Sequence, residues 1–307
     1  MFVTGATGVL GRPVVQLLAG NGHEVLGVAR SIANIETLRR MRAQPTEVNL
    51  FDVNSLKTAL NGCDAILHLA TKIPASSKVR NPASWVENDH LRRDVTRNLV
   101  NAAIKAGVGS IVYPSVTYVY ASSGDRWIDT DSALEPASFV QSTLAAEAEI
   151  QQFANLGCRG ISLRMGQFYG PESSQTLEVF RMAKWGYAAV IGPNDAYQSS
   201  IWIDDAARAV VCALEQAPTG IYNIVDEEPV RRDEFLSILS RAVGRQKVRR
   251  IPSLVAKMVV GDELKGVLSR SHRITNRAFK DATGWMPQVR NAKDGWEALS
   301  VVLSKRG

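Results

Sequence analysis

The chain has 307 residues, of which 45% are hydrophobic and 21% charged, with a formal net charge of +6. That size and balance suit one large folded domain, or one domain with a smaller companion, and exclude a disordered chain. No apolar run approaches the roughly 20 residues of a membrane span. The positive charge is too dispersed to imply nucleic acid, although it suits an anionic small molecule.

The chain opens on Met1-Phe2-Val3, which runs straight into Thr4-Gly5 without the basic segment, apolar core and cleavage site of a secretory signal. This first strand is short for a central one, so the recorded start is expected to lie a few residues late. The loop Thr4-Gly5-Ala6-Thr7-Gly8-Val9-Leu10-Gly11 then leads into a helix expected at 14–20. Its spacing is GxxGxxG. Gly5 permits a tight turn, Gly8 lets the backbone approach a pyrophosphate, and Gly11 lets the helix pack closely on the sheet. The helix N-terminus offers free N–H groups to phosphates, and Thr7, Val9 and Leu10 complete the expected cradle. Pro13 suits the first turn, where a missing N–H costs nothing.

A second strand, expected at 24–29, ends in Val28-Ala29-Arg30-Ser31. A site for NAD usually carries Asp or Glu about 20 residues beyond the glycines, bonded to the ribose 2′-OH. Arg30 and Ser31 instead suit a 2′-phosphate, with help from Arg12. The cofactor expected is NADP(H), with NAD(H) the alternative.

Strand-like runs at 65–69, 110–113 and 160–164 follow, alternating with amphipathic stretches at 55–60, 92–106 and 143–155. This alternation predicts an α/β fold, a doubly wound parallel sheet of Rossmann type with helices on both faces. The loops after the strands then gather on one edge, where such folds bind ligands. After Tyr169-Gly170-Pro171 the rhythm changes. Helices near 176–187 and 233–244 alternate with strand-like pieces at 200–203 and 221–224, and Gly284-Trp285-Met286-Pro287 leads into a helix near 292–303. The expected division is a dinucleotide-binding domain over 1–165, with segments returning to it at about 199–224, and a smaller C-terminal substrate-binding lobe formed by 166–198 and 225–307. Within the returning segment Asp204 is read as the N-cap of a helix over 205–216, with Asp205 in its first turn. The basic cluster Arg241, Arg245, Lys247, Arg249 and Arg250 is read as a solvated face. Cys63, Cys158 and Cys212 read as small buried hydrophobes in a reduced, cytoplasmic compartment. No His, Cys, Asp or Glu grouping has metal-ligand spacing.

At this point the chain resembles the extended short-chain dehydrogenase/reductases, the NAD(P)-dependent epimerase/dehydratase family. The resemblance is carried by the glycine loop, Asp52-Val53-Asn54-Ser55-Leu56, His68-Leu69-Ala70, Thr96-Arg97-Asn98-Leu99, Val119-Tyr120, Leu163-Arg164 with Tyr169-Gly170-Pro171, Ile203-Asp204-Asp205-Ala206, and Gly284-Trp285 with Pro287. It implies that Asn49 and Leu50 border the adenine and that Leu69, Ala70 and Thr71 line the cofactor. It also implies a Ser or Thr three residues before Val119, and a YxxxK motif on the next helix. In that motif the tyrosine exchanges the proton at the substrate oxygen, while the lysine holds the nicotinamide ribose and lowers the tyrosine pKa. The corresponding stretch here is Phe139-Val140-Gln141-Ser142-Thr143-Leu144-Ala145-Ala146-Glu147. Phe139 stands for the tyrosine, Thr143 for the lysine, and Val116 for the hydroxyl residue.

The customary proton relay is therefore absent from this reading, and the adjacent Ser115 and Ser142 are each one position out of place. Tyr118, next to Thr117 in the loop after the fifth strand, is the first candidate for a displaced proton donor. Lys72, after the fourth strand, is the second, as a charge beside the nicotinamide. Gln167 and Tyr169 would face the substrate, Arg92 and Arg93 either reach an acidic substrate or serve as plain surface residues, and His68 is read as packed in its strand. The reading is an atypical oxidoreductase acting on a small molecule. The alternatives are a dinucleotide-binding sensor or scaffold without redox activity, and a sugar-nucleotide epimerase or dehydratase. A small-molecule partner is expected and a homodimer is left open, with neither nucleic acid nor membrane.

Overall fold

The computed structural model describes residues 1–75 and 78–306. Seven strands form one sheet in the order Gly220–Ile224, Arg159–Met165, Ser110–Val116, Ala65–His68, Phe2–Thr4, Leu26–Val28, Gln44–Thr46, every neighbouring pair parallel. The predicted doubly wound α/β fold is the one observed. From Phe2–Thr4 the chain builds outward to the second and third strands, then returns to lay Ala65–His68 on the other side of the first. The switch point between these two strands is where such sheets open a crevice at their carboxyl edge.

Parallel strands are covered on both faces, so their side chains read as continuous apolar runs. One face packs Val14, Val15 and Leu18 of helix Gly11–Gly20, Leu38 of helix Ile32–Arg40, and Ala206, Val210 and Leu214 of helix Ile203–Gln216. The other packs Leu56 of helix Val53–Ala59, Leu99 and Ala103 of helix Thr96–Ala106, and Ile150 and Phe153 of helix Gln141–Asn155. Local chemistry sets the helix ends. Ser31 and Asp52 accept the Asn34 and Asn54 amides as N-caps, and Gly107, at φ +74°, stops helix Thr96–Ala106 in the left-handed conformation.

Of the two strand-like pieces after residue 199, Gly220–Ile224 joins the large sheet. Ser200–Trp202 does not; it pairs in parallel with Gln167–Tyr169 in a separate two-stranded sheet. The second apolar centre, with Phe180, Ile238, Leu239 and Leu299, is ordered by aromatic contacts. Tyr169 meets Trp202 edge-on at 5.3 Å and stacks on Trp296 at 6.2 Å.

Several expectations need correcting. The helix expected at 92–106 is interrupted: helix Val86–His90 passes through a π-helical turn, Leu91–Val95, before Thr96–Ala106. Helix Ile203–Gln216 starts two residues earlier than expected, after Trp202, and no side chain caps it. Asp204 instead accepts from the Trp202 indole at 3.1 Å. Asp205 is fully buried and accepts the Gln288 and Val289 amides at 2.7 and 3.0 Å while pairing with Arg208. It fastens the C-terminal loop to the large sheet's covering helix. Nor is the basic cluster wholly a solvated face. Arg245 donates to the Lys184 carbonyl at 2.6 Å, and Arg250 to the carbonyls of Val190 and Gly192 at 3.0 and 2.6 Å.

Candidate active site

The glycine loop is locked by backbone contacts on both sides. Gly5 sits at φ +66°, and a methyl there would lie 2.6 Å from the Ala70 nitrogen. A methyl on Gly11 would collide with the Gly5 carbonyl oxygen and lie 2.8 Å from the Ala6 carbonyl carbon. Gly8 and Val9 are exposed at the rim, with the Gly8 amide bonded back to Gly5 O at 2.9 Å. Helix Gly11–Gly20 has no side-chain cap and no acidic residue in its first turn. An uncapped N-terminus beside an exposed glycine turn fits a phosphate anion.

Around this loop the expected cofactor residues fall at the same crevice edge. Leu69 and Ala70 are buried, held by Thr4: its carbonyl accepts the Leu69 amide at 3.2 Å, and its hydroxyl the Ala70 amide at 3.3 Å. Thr71 is exposed. The Thr4 hydroxyl donates to His68 Nδ1 at 2.7 Å, and His68 Nε2–H donates to the Leu91 carbonyl at 3.1 Å, the tautomer that satisfies every partner. Asn49 is exposed and folds its side chain onto the Phe51 amide, while the Leu50 carbonyl accepts from Asn98 at 3.4 Å. Arg12 donates to the Thr7 carbonyl at 3.0 Å. Arg30 is exposed, with no bond or ion pair among the described residues. Ser31 spends its hydroxyl on the helix cap.

Tyr118 joins residues from 167 to 296 in lining a cavity of about 150 Å³. It brings together Tyr118, Gln167 and Tyr169 with Arg232, Arg270 and His272. Burial pushes the Tyr118 phenol up to about 12, against a smaller opposite pull from Arg232, so it is protonated at neutral pH. Lys72 and Thr117 do not line this cavity. Lys72 is exposed, its backbone amide bonded to the Asn88 side chain at 3.1 Å, and Thr117 is buried in the turn Thr117–Val119. Sequence reasoning missed Arg232, Arg270 and His272. Nothing local marks them, because Arg232 is turned inward to donate to the Leu268 and Arg270 carbonyls at 2.7 and 2.6 Å, at the end of helix Asp262–Ser269.

Phe139 packs against Trp85, ring centroids 5.0 Å apart, in an apolar cluster with Val116, Tyr118, Leu144 and Leu264. Phe139 and Trp85 also line a second concavity of about 340 Å³ with Arg80 and Asp89. Thr143 is buried, and its hydroxyl accepts from the Arg92 guanidinium at 2.8 Å. Arg92 is thus enclosed, whereas Arg93 remains at the surface beside Asp94.

Burial holds His68 and His272 neutral, each lowered from 6.5 to about 4. Between those values the unfolded chain binds protons that the folded chain refuses, so stability falls as pH drops from about 6.5 towards 4. The slope is about 1.4 kcal/mol per pH unit for each histidine. Urea unfolding at pH 7, 6 and 5 should show this acid loss, and His272→Gln should remove one histidine's share of it. An unchanged slope in that variant would contradict the assignment.

Residues 1–225 match the model of the NAD dependent epimerase/dehydratase family. A 3-diazoavenalumate denitrifying reductase of a Streptomyces species is 26% identical over 306 residues, spanning 96% of this chain and 98% of the relative. A 2-alkyl-3-oxoalkanoate reductase of Shewanella oneidensis is 26% identical over 299 residues, 90% of this chain and 73% of the relative. The human epimerase family protein SDR39U1, solved with NADPH, shares the fold at a TM-score of 0.81 and 23% identity, with 98% of each chain covered. The motif-based resemblance is borne out, and a nicotinamide dinucleotide is the ligand these findings support. Among the described residues no helix is long and apolar enough to cross a membrane, and no group of three or more His, Cys, Asp or Glu could hold a metal ion.

Proposed function

The chain belongs to the NAD dependent epimerase/dehydratase family, and from that premise we propose that it is an NADP(H)-dependent oxidoreductase of a small molecule, working without the family's Ser-Tyr-Lys relay. The observation that carries this reading is the apolar packing of Phe139 and Val116 where the relay is expected. When bound, the reduced nicotinamide supplies a hydride. The backbone of Gly5, Thr7, Gly8, Val9, Leu10 and Gly11 holds the pyrophosphate, Leu69, Ala70 and Thr71 line the dinucleotide, and Asn49 and Leu50 border the adenine. Arg30, exposed and without a partner among the described residues, supports a 2′-phosphate.

Phe139 has no proton to give, so the chain favours acceptors that need little protonation when hydride arrives. A diazonium carbon that expels dinitrogen is one such acceptor, and an imine or quinone-like carbon is another; the first accords with the diazo compound in the name of the Streptomyces relative. Where a proton is required, Tyr118 is the donor we assign, because its phenol lines the cavity beside Arg232, whose charge pulls against the rise that burial imposes on it.

The test uses the purified chain with 4-deuterated NADPH and a panel of such acceptors. Stereospecific deuterium transfer to product, tighter binding of NADPH than NADH, and narrowing of that preference in Arg30→Ala are the expected results. For acceptors that take up a proton, Tyr118→Phe should slow turnover about 10²–10⁴-fold, the usual worth of a general acid. Tight NADPH binding with no transfer to any acceptor would replace the oxidoreductase reading by a non-redox binding role.

A further inference from the structure

Enclosing a guanidinium costs several kcal/mol unless its charge and donors are satisfied. Arg164 meets that condition: it donates to both oxygens of Glu147 and to the Tyr120 hydroxyl, so its charge and its donors are matched. Arg92 is treated differently. It is 4% exposed, yet both its hydrogen bonds leave from one nitrogen, Nη1, to the neutral hydroxyls of Tyr113 at 2.9 Å and Thr143 at 2.8 Å. Among the described residues no carboxylate pairs with it and neither Nε nor Nη2 makes a hydrogen bond, yet neither is sealed off as a buried unpartnered donor, so both remain reachable. A second, independent observation concerns the backbone: Arg92 lies in the π-helical turn Leu91–Val95, a distortion that clusters at functional sites.

Strand order says what reaches this cation. The glycine loop after the first strand faces the pyrophosphate, and Arg30 after the second strand draws the adenosine half to that side. The other half of a dinucleotide must then run towards Ala65–His68 and Ser110–Val116. Arg92 stands there, touching Tyr113 of the latter strand, next to Leu91, whose carbonyl holds His68 of the former.

We propose that Arg92 is a cofactor-binding residue whose free Nε and Nη2 donors hold the nicotinamide-side ribose hydroxyls, supplying from another helix the cation that position 143 lacks. This rests on the dinucleotide reading above, and predicts that the charge has been moved rather than lost. Ribose hydroxyls accept from a guanidinium without neutralising it, so the cation remains beside the reacting ring.

The test compares binding of NADPH with that of adenosine 2′,5′-bisphosphate, which lacks the nicotinamide ribose, by calorimetry on the full chain. Arg92→Met should weaken NADPH about 10- to 100-fold, the worth of a hydrogen bond to a charged group, and leave the bisphosphate within about twofold. Because Arg92→Met removes a buried group, Arg92→Asn combined with Thr143→Lys serves as the second variant. It returns the cation to helix Gln141–Asn155 and should recover most of the NADPH affinity. Equal weakening of both ligands by Arg92→Met, or no weakening of NADPH, or no recovery in the double variant, would overturn the proposal. Binding of neither ligand by the unaltered chain would instead overturn the dinucleotide reading itself.

Discussion

Gly11→Ala is expected to weaken NADPH binding by two orders of magnitude or more. The added methyl would meet backbone on every side: the Gly5 carbonyl oxygen, and the carbonyl carbon and Cα of Ala6 at 2.8 and 2.9 Å. No flexible side chain is there to give way, so the helix must retreat from the loop. Gly5 cannot absorb the shift, because it is itself pinned against Ala70 and Leu69 at φ +66°. Helix and loop together present the amides that a pyrophosphate needs, and each charge-assisted bond lost costs about 1.5–3 kcal/mol, or roughly a factor of ten to a hundred in Kd. Gly20→Ala, in the same helix with nothing within 4 Å of the new methyl, is the control and should bind normally. Fluorescence titration of both variants with NADPH checks this, and a Gly11→Ala chain binding as tightly as the parent would refute the cradle.

Glu147→Ala carries the largest expected loss of stability, about 3–5 kcal/mol, the range for removing one partner of a buried ion pair. Glu147 and Arg164 are 5% and 4% exposed and meet at 2.8 Å. Burial works against the Arg164 charge, and the Glu147 carboxylate with the Tyr120 hydroxyl outweighs it. Arg164 also donates to the Tyr120 hydroxyl at 2.9 Å, which donates on to Asn223 at 2.7 Å, while Ser115 donates to Glu147. The network joins helix Gln141–Asn155 to three neighbouring strands of the large sheet, so the carboxylate cannot be replaced by water without opening the core. The surface pair Arg97–Glu149, also 2.8 Å but with Arg97 half exposed, should cost under about 1 kcal/mol when broken. Urea unfolding of Glu147→Ala and Arg97→Ala at pH 7 separates the two. Similar small losses in both would show that the buried network contributes no more than a surface pair.

Much of the fold was legible because it rests on local rules. Glycines at 5, 8 and 11 between an apolar run and an amphipathic stretch specify a turn and a close approach whatever surrounds them. Strands that alternate with helices can form few sheets other than a parallel one. The apolar identity of positions 116 and 139 was likewise plain, since a side chain without a titratable group cannot acquire one by folding. Less legible was the chain after Met165. Ser200–Trp202 has the composition of a sheet strand but pairs with Gln167–Tyr169, a choice made by which edge is near rather than by sequence pattern.

By itself, then, the order of residues determined the architecture, the glycine turn and the apolar side chains at 116 and 139, because backbone freedom, periodicity and side-chain chemistry act over a few residues. Tertiary structure alone decided which charges are enclosed. Arg92 looked like a surface residue and is buried against Thr143; Asp205 looked like a helix-start residue and anchors a loop more than 80 positions away. The cavity that unites Tyr118 with Arg232 and His272 depends on chain segments remote in sequence. Desolvation is a property of the whole packed assembly, so no local window of sequence contains it.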